Sequence, residues 1–236
     1  MQSVTLFEKP FCVDKQGVAQ HYGLATDYVD ITPNFDVASF FATQKWNAKQ
    51  QRYEPMKASW QPGVLYKIIP AMVMLPENGQ SPAYTPIGWQ PFERPEQQRA
   101  NAYRLAFGED FAKVAPVTKF RFKQDWTVSK QIYEQFEGGD VLFPVDSLAD
   151  FAEQVKALNL FTPTQLNNAM SKFTGRTGKL LDLATAKVFL KQKGGRVSED
   201  VLGLSQLYHL NFNEQAFEQK LLELKPRIKY RRTIAI

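Results

Sequence analysis

Apolar and polar positions change their period several times in the first part of the chain. Residues 18–22 are compatible with a helix that Gly23 would end, and the alternating residues 28–31 favour a short strand. A Thr-Pro pair at 32–33 fits a helix N-cap and first helical position, and the apolar residues within 37–42 supply a buried helix face. The pattern therefore predicts a helix, a strand and a second helix, in that order.

The next part of the chain is predicted to contain loops and strands. Polar and basic residues fill positions 44–62, which predicts a loop. Residues 63–69 predict a strand that ends at Pro70, because proline cannot donate to a ladder. A long segment punctuated by prolines then continues to Pro91 and predicts a functional or mobile loop. Residues 118–122 alternate again and predict another strand.

The rest of the pattern is mostly helical. Residues 94–107 are helical or mixed in propensity, residues 129–136 predict a helix, and Asp146 is an N-cap for a helix over 147–158. Beyond Asn159 the pattern is wholly helical. Helices are predicted to open at Thr162 and Asn213 and to cover residues 178–193 and 198–210.

Composition agrees with a packed globular protein, since 44% of the residues are apolar and 22% are charged. The predicted fold class is α+β, with a mixed sheet and flanking helices. We expect one domain over residues 1–158 and an all-helical extension over residues 159–236.

Several classes of protein and of site are disfavoured. No apolar run approaches the length of about 20 residues that crosses a bilayer, and the start lacks a signal-peptide pattern. We therefore expect a cytoplasmic protein without membrane contact. A single cysteine, Cys12, excludes an internal disulfide, and with two histidines in the chain no metal site is expected. Cys12 beside His21 would suggest thiol catalysis, but no nucleophile motif surrounds it.

The net charge of +5 favours polyanions in general. Much of the excess lies in the last dozen residues and predicts a solvated basic end, with a nucleic-acid or phosphate contact as the alternative. Residues 175–179, Gly-Arg-Thr-Gly-Lys, predict a helix start; an anion cradle is the alternative, although they do not form a Walker A motif. Aromatic residues from Phe107 to Phe122 predict a core face, or a nucleic-acid platform because of the interleaved Lys113, Lys119 and Arg121.

One run of residues has a family resemblance. Residues 20–32 read Gln-His-Tyr-Gly-Leu-Ala-Thr-Asp-Tyr-Val-Asp-Ile-Thr, and after Asn34 residues 37–42 read Val-Ala-Ser-Phe-Phe-Ala. This resembles the central signature of FRG domains, approximately Q-H-Y-G-L-P-T-R-L-L-D-W-T followed by N-P-L-V-A-L-F-F-A. Three later features fall where that family places them, and the resemblance covers residues 1–158. These features are a strand at 64–68, an R-x-x-x-Q element from Arg94 to Gln98, and Leu-Phe-Pro-Val-Asp-Ser-Leu at 142–148.

The resemblance implies a fold similar to that of ADP-ribosyltransferases, and FRG domains occur in bacterial defence and toxin-like systems, including phage-linked ones. It also implies NAD as a substrate and transfer of ADP-ribose onto protein or nucleic acid. By resemblance, Tyr22 would stack, His21 and Thr32 would contact the nucleotide, Arg94 would bind phosphate, and Gln98 would hold the ribose or the acceptor. The predicted site residues are His21, Tyr22 and Gln98 as catalytic groups, and Gln20, Thr32 and Arg94 as groups that bind NAD.

The chain departs from the family pattern in two places. Ala25 and Asp27 stand where the signature has proline and arginine, which removes a positive charge beside the site. No Phe-Arg-Gly element occurs before Gln20, so the chain is a fragment, is shortened at its start, or comes from a branch that lacks the element. This absence favours an alternative function as a catalytically silent module, in which the helical C-terminal region binds a partner protein or nucleic acid.

Structural interpretations compete with the functional ones. Gln20, His21 and Tyr22 would cap backbone groups or complete a buried network. Asp30 lies within an apolar strand and is expected to be held by hydrogen bonds to the loop at Asn34. The structural interpretation of the Arg94–Gln98 element is a pair of surface residues on one face of a helix.

Overall fold

The computed structural model describes most of the chain up to residue 199. The described residues are 4–6, 9–11, 14–57, 61–69, 84–88, 92–105, 108–199, 215, 219, 222 and 223.

The chain opens with two short strands and the predicted helix, strand and helix. Strands β1 (Val4–Leu6) and β2 (Lys9–Phe11) pair antiparallel. Helix α1 (Lys15–His21), strand β3 (Tyr28–Ile31) and helix α2 (Phe35–Thr43) follow. This order confirms the predicted elements.

The start of α2 corrects the predicted cap. Asn34 is the N-cap, and its side-chain oxygen accepts hydrogen bonds from the backbone N–H groups of Asp36 and Val37 at 2.9 and 3.1 Å. The hydroxyl of Thr32 instead accepts from the N–H of Asn34 at 3.2 Å, in the turn before the helix. Asn34 satisfies two of the unpaired donors of the first turn, so the helix begins after it.

The predicted loop over 44–62 contains an antiparallel hairpin, so that prediction was wrong in part. Strands β4 (Gln44–Asn47) and β5 (Arg52–Pro55) pair with Trp46 directly opposite Tyr53. Their ring centroids are 5.0 Å apart. A cross-strand aromatic pair of this kind stabilises a hairpin even where the surrounding residues are polar.

The remaining strands of the first 122 residues form two small antiparallel sheets. Strand β6 (Gly63–Ile68) pairs with β9 (Val117–Phe122), as the predicted strands allow. Strand β7 (Tyr84–Pro86) lies in the segment predicted as a loop, and β8 (Asn101–Arg104) in the segment predicted as helical or mixed. Strand β8 lies between β3 and β7. Among the described residues the strands thus form separate small sheets, where one mixed sheet was expected.

Four further helices lie within residues 93–158. They are α3 (Glu93–Gln97), α4 (Phe111–Val114), α5 (Trp126–Gln135) and α6 (Ser147–Leu158), with a 3-10 turn at Glu137–Gly139. Asp146 caps α6 as predicted, accepting from the N–H of Ala149 at 2.8 Å. One core cluster joins α2 to the segment after α5 through Val37, Phe40, Phe136 and Leu142.

The described part of the C-terminal region is not all helical. Helices α7 (Pro163–Thr177) and α8 (Leu183–Gln192) are flanked by the two-residue strands β10 (Leu160–Phe161) and β11 (Arg196–Val197), which pair parallel. Thr162 and Gln165 form a capping box at the start of α7, which confirms the helix predicted to open there.

The segment 175–179 ends a helix, so the predicted helix start there was wrong. Gly178 is the left-handed C-cap of α7 with φ of 66°, and α8 begins after Asp182. A helix C-terminus presents carbonyl oxygens and the negative end of the dipole, which argues against an anion cradle. The helix predicted over 198–210 lies outside the described residues apart from 198 and 199, which are not helical, and most of the one predicted from Asn213 also lies outside. Within the described part of the chain, no helix is long and apolar enough to cross a membrane.

Candidate functional site

The tertiary structure brings together site residues from two distant segments. His21, the last residue of α1, lies with its Nδ1 2.8 Å from Oε1 of Gln98, the C-cap of α3. Nη1 of Arg94 donates to the carbonyl oxygen of His21 at 3.3 Å. His21 and Gln98 are only 6% and 5% exposed. The interpretation of Arg94 and Gln98 as a surface pair was therefore wrong.

Hydrogen bonding determines which nitrogen of His21 carries a proton. The amide nitrogen of Gln98 donates to the carbonyl oxygen of Leu142 at 2.9 Å, so its Oε1 faces His21 as an acceptor. Nδ1 of His21 must then be the donor in this pair. Nε2 is buried, has no hydrogen-bond partner among the described residues, and lies 3.7 Å from Oδ1 of Asp30. A second proton on the ring would point an N–H at this carboxylate.

Asp30 is the solvent-exposed member of the cluster formed by His21, Asp30, Arg94 and Gln98. Its side chain is 50% exposed, and among the described residues no hydrogen bond joins it to Asn34, whose side-chain oxygen caps α2. Loss of hydration raises the pKa of Asp30, while the charge of His21 and a hydrogen bond from Gln20 oppose that rise. Gln20 is itself held in place, because its Oε1 accepts from the hydroxyl of Thr26 at 2.5 Å. A partly desolvated carboxylate beside a histidine is a candidate proton acceptor.

Tyr22 lies deeper and connects two helices. It is buried, and its hydroxyl donates to Oδ2 of Asp146 at 2.6 Å. The guanidinium carbon of Arg94 lies 4.7 Å from the centre of the Tyr22 ring and 5.4 Å from that of Phe143. Burial, followed by the Asp146 carboxylate, raises the pKa of Tyr22. In the structure the guanidinium of Arg94 lies over the Tyr22 ring. Stacking of the nicotinamide on Tyr22 stays a prediction.

We predict that Tyr22→Phe lowers the free energy of unfolding by about 1–2 kcal/mol, because the half-buried carboxylate of Asp146 loses a hydrogen-bond donor. Urea unfolding followed by tryptophan fluorescence measures this change. Tyr66→Phe is the matched control, because the Tyr66 side chain is exposed. Equal effects for the two variants would contradict the assigned role of the Tyr22 hydroxyl.

An aromatic surface beside the cluster was not predicted from the sequence. Tyr53 stacks on Phe143 with centroids 5.2 Å apart, and exposed Phe41 and Trp46 lie against Tyr53. Burial raises the pKa of Tyr53, with Arg94 lowering it and Asp30 raising it, so the phenol lies within electrostatic range of both. The signal in the sequence was the spacing of Trp46 and Tyr53 across a polar turn, which is typical of a hairpin.

Thr32 and Arg94 were predicted to bind NAD, and in the structure each has contacts within the protein. Thr32 lies in the turn before α2, where its hydroxyl is used by Asn34. Among the described residues, Nε of Arg94 is buried without a hydrogen-bond partner, like Nε2 of His21. Buried polar atoms without a partner are uncommon, and strain, a catalytic role, an ordered water or an ion can account for them. Cys12 lies outside the described residues, and among the described residues no group of three or more His, Cys, Asp or Glu side chains could hold a metal ion.

Comparison with known proteins gives one result. The family model of the FRG domain matches residues 9–51, a segment that holds α1, β3, α2 and β4. No curated protein and no solved structure matches the chain. Gln20, His21, Asp30 and Thr32 all lie in the matched segment, whereas Arg94 and Gln98 lie beyond it. Residues 9–51 are therefore similar in sequence to the FRG domain, as the resemblance predicted.

Proposed function

We propose that this FRG domain binds NAD and transfers ADP-ribose to a protein or nucleic-acid acceptor, within a bacterial or phage-linked defence or toxin system. The observation that carries the proposal is the pair formed by His21 and Asp30. Within the part of the chain that the structure describes, Nε2 of the buried His21 has no hydrogen-bond partner and lies 3.7 Å from the half-exposed carboxylate of Asp30. This pair lies beside the half-buried cation Arg94 and an aromatic surface with the exposed rings of Phe41 and Trp46.

The chemistry of the proposal is a substitution at the ribose. The bond between ribose C1′ and nicotinamide breaks, and its electron pair leaves with nicotinamide. The acceptor nucleophile forms the new bond to C1′, and its proton passes to the carboxylate of Asp30. A carboxylate near C1′ would also stabilise the positive charge that develops on the ribose.

Each remaining residue has a proposed part in holding NAD. Gln98 orients His21 through the bond to Nδ1, which leaves Nε2 for a ribose hydroxyl. The unpaired Nε of Arg94 suits a pyrophosphate oxygen. Gln20 orients Asp30, and the rings of Phe41 and Trp46 offer a surface for a base.

The test measures NAD binding by calorimetry and nicotinamide release by the purified chain. We expect saturable binding and turnover in the wild type, and loss of both in a His21→Ala, Gln98→Ala double variant. Thermal unfolding must show that the variant still folds, since both side chains are buried. If it does not fold, Gln20→Ala removes from a half-buried position an amide that lowers the pKa of Asp30, and it is expected to lower turnover.

A second candidate function is a catalytically silent interaction module. It is supported by the burial of His21, Tyr22 and Gln98, whose side chains bond to protein groups in an internal network. Helix α8 also exposes Leu183, Val188 and Phe189, which would suit a partner protein. A folded wild-type chain that neither binds nor cleaves NAD would refute the transferase and favour this module.

A further inference from the structure

Strands β6 and β9 form a two-stranded ribbon whose middle is open to solvent. Tyr66 lies opposite Lys119 and is 40% exposed, and the side chains at 118–121 are all exposed. Only the ends of β9, Val117 and Phe122, are half buried. The expectation that one face of these aromatics belongs to the core was therefore wrong for the middle of the strand.

The ribbon carries positive charge without compensation. Neither 61–69 nor 111–124 contains an aspartate or glutamate. Within the part of the chain that the structure describes, four exposed cations here have no ion-pair partner, and only Lys113 pairs with a carboxylate, that of Asp110. The four are Lys67, Lys119, Arg121 and Lys123.

Three of these cations form a row. Alternate residues of a strand point to one face, so Lys119 and Arg121 share a face, and Lys123 is the next alternate residue, one position beyond the end of the strand. The strand rise places neighbours in this row about 6.6 Å apart. Tyr66 lies on the same face, with Nζ of Lys119 5.5 Å from its ring centre.

We propose that this face of the ribbon binds single-stranded nucleic acid, with phosphates on Lys119, Arg121 and Lys123 and a base on Tyr66. A row of cations beside an aromatic ring is the combination that tracks a single strand, because the cations follow the backbone and an unpaired base stacks on the ring. A duplex keeps its bases stacked inside and gains nothing from Tyr66. The inference goes beyond the proposed transferase and does not depend on NAD.

The test is fluorescence anisotropy with a labelled oligothymidylate of about 12 nucleotides, titrated at several salt concentrations. Reversing two charges in Lys119→Glu, Arg121→Glu is expected to weaken binding at least about tenfold. It should also reduce the slope of log affinity against log salt by about 1.4, since each phosphate contact with a single strand contributes about 0.7. Lys187→Glu, Lys191→Glu on exposed positions of α8 makes the same change in net charge and should leave binding within about twofold.

A second variant separates stacking from charge. Tyr66→Leu keeps the net charge and is expected to weaken binding about fivefold or more, and the loss should persist at high salt, where charge is screened. Three results would overturn the proposal. They are equal losses in the ribbon and α8 variants, equal affinity for a duplex of the same length, and binding of anionic lipid vesicles at similar strength with no effect of Tyr66→Leu.

Discussion

Replacing Phe40 with alanine is expected to lower the free energy of unfolding by about 3–5 kcal/mol, the largest stability effect that we predict. Phe40 lies in α2 and is 0% exposed. Its ring meets those of Tyr53 and Phe136 edge-on, with centroids 5.1 and 5.4 Å apart. Truncation removes these contacts and leaves a cavity that α2 cannot close by itself, because helix and hairpin both border it.

The neighbouring residue offers a matched control. Phe41 is also in α2 but is 42% exposed, so Phe41→Ala should cost about 1 kcal/mol or less. Urea unfolding measures both changes, and an unchanged denaturant slope would show that the compactness of the unfolded state is the same. A loss of less than about 1 kcal/mol in Phe40→Ala would contradict the placement of this ring in the core.

The largest functional effect is predicted at Asp30. If the domain transfers ADP-ribose, Asp30→Asn should lower the rate of nicotinamide release to acceptor by about 10²–10⁴, the usual contribution of a general base. The reason is that an amide keeps the shape of the side chain but cannot take the proton of the acceptor. Asp36→Asn, at an exposed position in the first turn of α2, is the control and should leave the rate unchanged. Equal rates in the two variants would remove Asp30 from the mechanism.

The pH dependence gives a second test of the same residue. Burial raises the pKa of Asp30, so the wild-type rate should fall as pH is lowered through that raised pKa. The Asp30→Asn variant should lack this decrease at low pH.

The stability of the folded chain should depend on pH in the opposite direction to the rate. A carboxyl whose pKa is higher in the folded chain than in the unfolded chain stabilises the fold at low pH, and this contribution is lost as pH rises through the folded-state pKa. Asparagine does not titrate, so the stability of the variant should not show this change.

Local signals in the sequence predicted a large part of the fold. The order of α1, β3 and α2 follows from a glycine stop, a short alternating run and an apolar helix face, all read within a few residues. Gly23 takes a φ of 77°, which a glycine adopts without strain. Asp146 and Thr162 were also found as caps, because a cap is decided by residues that are three apart in sequence. The resemblance to FRG domains rests on the same segment, and residues 9–51 confirm it.

Only the tertiary structure decided which of these residues meet. The bond between His21 and Gln98 joins positions 77 residues apart, and the bond between Tyr22 and Asp146 joins positions 124 apart. No local pattern carries such a contact, because it depends on how helices and strands pack. The hairpin of β4 and β5 was missed for a different reason, because the spacing of Trp46 and Tyr53 is a local signal that lies among polar and basic neighbours. The sequence alone thus determined the local elements and the family resemblance of residues 9–51, while packing decided that His21 and Tyr22 are buried and that the side chain of Asp30 beside them is half exposed.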